Sequence, residues 1–179
     1  QMVLKPILRE EFKFSLKTCG IIVGGTLATL LAIYFIGRPL VAREGFLSYL
    51  IAGLGLVAVS PPLALAGYWI LRDVELEPYR GQTLWKRSAI CAAVYVVLWA
   101  ALAYVVATIN QSGDLELWMW LFILPPLVVF GGIAAHASFE LEFANGAFHY
   151  GFYLILTILL RWVAGLGWIW QAVEDKLPT

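Results

Sequence analysis

The chain has 179 residues, 61% of them hydrophobic and 13% charged, with a mean hydropathy of +0.83. Soluble domains carry about 45–50% apolar and about 25% charged residues, and a soluble fold of this size has too little interior to hide such an excess. The formal net charge is zero, which removes any global electrostatic case for nucleic acid or an acidic partner.

Gln1 ahead of Met2 reads as a tag remnant before the natural initiator. Residues 3–18 then read as an amphipathic helix. Leu4, Ile7, Leu8 and Phe12 follow three–four spacing, and Lys5, Arg9, Glu10, Lys13 and Lys17 occupy the remaining surface. Such a helix lies in the membrane interface with its basic groups near anionic headgroups. The N-terminal unit is thus 1–18, followed by a membrane domain over 19–170 and a short polar tail over 171–179.

Apolar segments fall at about 19–37, 47–71, 88–109, 116–136 and 147–168. Each has roughly the 20 residues needed to cross the hydrocarbon core as helix. They are continuous apolar runs, not alternating ones, which excludes a barrel. The expected fold is an all-α integral membrane protein of about five transmembrane helices. The first segment is too long for a signal-peptide core and is expected to be retained.

Lysine and arginine set the orientation. Four precede the first span (Lys5, Arg9, Lys13, Lys17) and four lie between spans two and three (Arg72, Arg80, Lys86, Arg87). The N-terminus is therefore expected in the cytoplasm, in a bacterial inner (plasma) membrane. Cys19 and Cys91 both open spans on that side. A reducing compartment and the lack of a Cys-x-x-Cys pattern argue against a disulfide or zinc framework.

Spans two and four share a pattern. Pro61-Pro62-Leu63, Gly67, Glu75-Leu76-Glu77 and Gly81 correspond to Pro125-Pro126-Leu127, Gly131, Glu140-Leu141-Glu142 and Gly146. This suggests an internal parallel repeat with units of about 47–109 and 116–168. Each unit is a proline-broken helix, an acidic exit, a glycine and a second helix. The second proline of each pair denies a hydrogen bond to the carbonyl four residues back, Ala58 and Phe122, which then needs a neighbouring helix, a hydroxyl such as that of Ser60, or water. Paired broken helices can mark a cavity near the bilayer midplane; they also serve simply to bend helices for packing.

Candidate chemistry gathers at the acidic joints. His136, Glu140, Glu142 and His149 form a candidate divalent-metal set. Imidazole with carboxylate suits Zn, Mn or Fe, and carboxylates alone suit Ca or Mg. If span four stays helical to Glu140, His136 and Glu140 point the same way one turn apart. Glu75 and Glu77 lie at the corresponding joint of the first unit. The plainer reading is a solvated rim in which these carboxylates pair with Arg72, Arg80, Lys86 or Arg87. Arg161 is the other residue of interest, since a charge at mid-span needs a partner or water. If span five begins near Phe143, Arg161 reaches the far interface and His149 sits inside the bundle; this register is the favoured one.

Asn145-Gly146 reads as the end of the joint, with Asn145 as helix cap. Gly20 and Gly24, with Ala28 one turn later, give span one a small-residue stripe suited to close helix contact. Gly53-Leu-Gly55-Leu-Val-Ala58 mimics a dinucleotide fingerprint but lies inside a span with no preceding strand.

Three functions follow in order. The first is a non-enzymatic membrane component that forms a homo-oligomer or joins a larger complex in the lipid bilayer. The second is a small channel or transporter, and the third a metal-dependent membrane enzyme at the His136/Glu140/Glu142/His149 joint.

Overall fold

The computed structural model describes residues 31–41, 46–72, 79–112 and 116–166, and every regular element among them is helical. A π-helical turn, Ile33–Gly37, runs into a short helix α1 (Arg38–Val41). Four long helices follow: α2 (Phe46–Leu71), α3 (Gly81–Ser112), α4 (Trp120–Phe139) and α5 (Phe143–Val163), with a single 3-10 turn at Leu117–Met119 ahead of α4. Within them, Leu50–Leu71, Gly81–Ile109, Leu117–Phe139 and Phe143–Val163 are long and apolar enough to cross a membrane.

Spans two to five of the sequence reading thus correspond to helices whose limits differ by a few residues. α3 begins at Gly81, seven residues before the apolar run, because Gln82 to Arg87 continue the helix as an amphipathic first turn and a half, with Leu84 in the core. α5 runs over Phe143–Val163 instead of 147–168. Asn145 and Gly146 therefore lie inside the helix, and the cap position falls to Glu142, which makes no side-chain capping bond. Of the first expected span only residues 31–37 are described, and the stripe at Gly20, Gly24 and Ala28, the interfacial segment 1–18 and the tail 171–179 lie outside the described residues.

The long helices form a ring in which α2 packs on α3, α3 on α4, α4 on α5 and α5 back on α2. Short connections make neighbours antiparallel; only Glu140, Leu141 and Glu142 separate α4 from α5. Polarity is inverted relative to a soluble bundle. Val97, Leu121, Phe122, Phe130, Phe148 and Ile155 face outward, while Ser60, Ser88, Tyr95, His149, Tyr150 and Tyr153 are wholly buried. An exterior of this kind is matched by hydrocarbon, not by water. The four apolar helices and their inverted polarity mark an integral membrane protein in contact with the bilayer.

Small residues set how closely the helices approach. At Gly146 an added Cβ would lie 2.6 Å from the Gly132 carbonyl oxygen, so α4 and α5 touch backbone to backbone. At Gly131 it would enter the Tyr150 ring, and at Gly67 the His149 ring. Gly53 on α2 has nothing within 4 Å of the same position. Gly146→Ala is therefore expected to cost about 1–3 kcal/mol through overpacking. Gly53→Ala should be neutral or gain up to about 1 kcal/mol from helix propensity. Reversible unfolding of both variants in mixed micelles measures the difference.

Candidate functional site

α5 places His149, Tyr153 and Thr157 four residues apart along one helix face, directed into the ring. Each finds a partner on another helix. His149 Nε2 lies 2.8 Å from the Ala64 carbonyl of α2, and Nδ1 lies 2.6 Å from the Tyr95 hydroxyl of α3. A carbonyl can only accept, so Nε2 carries the proton and Nδ1 of the neutral ring accepts from Tyr95. Gly67 supplies the space for the imidazole.

One turn along α5, the Tyr153 hydroxyl is 2.7 Å from Ser60 Oγ, which itself donates to the Leu56 carbonyl at 2.6 Å. Ser60 has one hydrogen, so Tyr153 is the donor of the pair. One turn further, Trp99 Nε1 of α3 donates to Thr157 Oγ1 at 2.8 Å, and Thr157 donates back to the Tyr153 carbonyl. On the α2–α3 side, Ser88 donates to the Pro61 carbonyl at 2.7 Å. Ser60 thus serves Leu56 and not the Ala58 carbonyl that the proline leaves open.

Aromatic rings fill the space between these bonds. Tyr95 meets Tyr150 edge-on and Tyr153 tilted, at centroid separations of 4.9 and 4.7 Å. Tyr68 stacks on Phe139 at 5.0 Å. The Tyr150 hydroxyl is buried without a hydrogen-bond partner, an orphan beside a core in which the other ring hydroxyls are satisfied.

The residues singled out from sequence are distributed differently from the proposed metal set. His149 is committed to Ala64 and Tyr95 inside the bundle. His136 Nδ1 donates to the Leu141 carbonyl at 2.5 Å and closes the α4–α5 connection on itself. α4 stops at Phe139, and Glu140 adopts a left-handed backbone with φ 56°, so its side chain does not share a helix face with His136. Glu142 is exposed at the start of α5. Among the described residues no group of three or more His, Cys, Asp or Glu side chains is placed to hold a metal ion. Glu75 and Glu77 lie outside the described residues. α5 starts at Phe143, which puts Arg161 in its last turn, where Nη2 donates to the Leu166 carbonyl at 3.0 Å.

Glu140 instead closes a clasp between helices. Arg87 of α3 donates to the Ser138 carbonyl at 2.8 Å and to Glu140 Oε1 at 3.0 Å, and its guanidinium lies 4.0 Å from the centre of the Tyr79 ring. The Tyr79 backbone N–H in turn donates to the Tyr68 hydroxyl. A hydrogen bond from the Tyr79 phenol, followed by the Arg87 guanidinium, holds the Glu140 carboxyl below its usual range. The same hydrogen bond, with some burial, pushes the Tyr79 phenol up.

Comparisons with models of protein families, with curated proteins and with solved structures give no match. The site is accordingly read from its own geometry. Its hydrogen bonds run from helix to helix, and both ring nitrogens of His149 are already engaged, by the Ala64 carbonyl and the Tyr95 phenol.

Sequence reasoning singled out His149, and Ser60 as a hydroxyl donor, but passed over Tyr95, Trp99 and Thr157. The available signal was the four-residue repeat of polar atoms at His149, Tyr153 and Thr157 inside an apolar run.

Two measurements probe this core. Tyr95→Phe removes the donor to His149 and is expected to cost about 1–2 kcal/mol. Pairing it with His149→Phe should cost less than the sum of the single changes, as a double-mutant cycle in micelles would record. For the clasp, a carboxyl with a lowered folded pKa adds stability that is present above its unfolded value, 4.5, and is lost as pH falls through the lowered folded value. Melting temperature against pH should therefore fall on the acid side in the wild type, with a shallower slope in Glu140→Gln.

Proposed function

We propose that this chain is a non-enzymatic polytopic membrane component that assembles with further copies of itself or within a larger membrane complex. One observation carries the reading: buried hydrogen bonds of Ser60, Tyr95, Trp99, His149, Tyr153 and Thr157 join α2, α3 and α5 to one another, so the bundle is a packed body whose free surface is apolar and faces sideways in the bilayer. The prolines fit this reading. Pro62, Pro125 and Pro126 are exposed on the outside of the ring, where bent helices shape an outer surface.

The finer expectations form part of the same proposal. A first span over 19–37 would make five, and the π-helical turn and α1 packing on α5 and α2 supports a helix alongside that edge. A duplicated hairpin is supported by double prolines inside both α2 and α4, and by Gly67 and Gly131 each receiving a ring from α5. The lysine and arginine distribution supports a cytoplasmic N-terminus in a bacterial inner membrane.

Full-length protein reconstituted at low density in nanodiscs and weighed by native mass spectrometry tests the assembly. More than one copy per disc is expected, with Gly24→Leu lowering the count and Glu140→Gln leaving it unchanged. A single copy across the accessible density range, with no co-purifying membrane protein, would sink the proposal.

A further inference from the structure

We draw no further inference here: the strongest candidate, the outward seam of α3 on which exposed Ile90, Val97 and Tyr104 alternate with exposed Ala93, Ala100 and Ala107 at three–four spacing, is an unpartnered apolar face, and nothing in the structure shows what covers it.

Discussion

In hydrocarbon a polar side chain has no solvent to return to, so each one drawn into the bundle must find its partner on another helix. That constraint organises the molecule. Ser60 with Tyr153, Tyr95 with His149 and Trp99 with Thr157 are satisfied in pairs that each link two helices at a fixed level, the Tyr150 hydroxyl being the exception. Individually such bonds are worth little, about 0.6 kcal/mol on average in comparable settings. Together they fix rotation and register, which apolar packing against equally apolar lipid specifies poorly.

The outer architecture was readable from composition and run length, because a 20-residue apolar stretch has few alternatives. The inner arrangement was not. α2 and α4 are apolar on all sides, so no amphipathic stripe announces which face turns inward. Tyr95, Tyr150 and Tyr153 are counted among the hydrophobic residues of the composition, and Ser60 and Ser88 barely interrupt an apolar run. Glu140 parts from His136 for a backbone reason: extending α4 by one residue would align the two, but the chain turns left-handed at Glu140 and aims it at Arg87. Glycine or asparagine is the usual marker of such a turn, and a glutamate there gives no warning.

The same glutamate shows how the joint is built. A left-handed non-glycine residue needs its surroundings to hold it. Arg87 grips both the carbonyl of Ser138 and the carboxylate two residues later, so one side chain terminates α4 and joins it to α3. Paired with the bond from His136 to Leu141, this makes the three-residue connection a rigid corner. The plainer of the two readings of the acidic rim, carboxylate against arginine, therefore describes Glu140, and histidine serves the helix core and the corner separately.

α5 is the last of the described helices in the chain, and it carries the partners of Ser60 on α2 and of Tyr95 and Trp99 on α3. During synthesis from the N-terminus, those groups reach the bilayer well before their partners. They must remain at the insertion machinery, be met by stray water, or sit unsatisfied until α5 arrives. Closure of the bundle is thereby tied to the synthesis of α5, and a product cut short before Thr157 exposes a polar seam by which cellular quality control can recognise it.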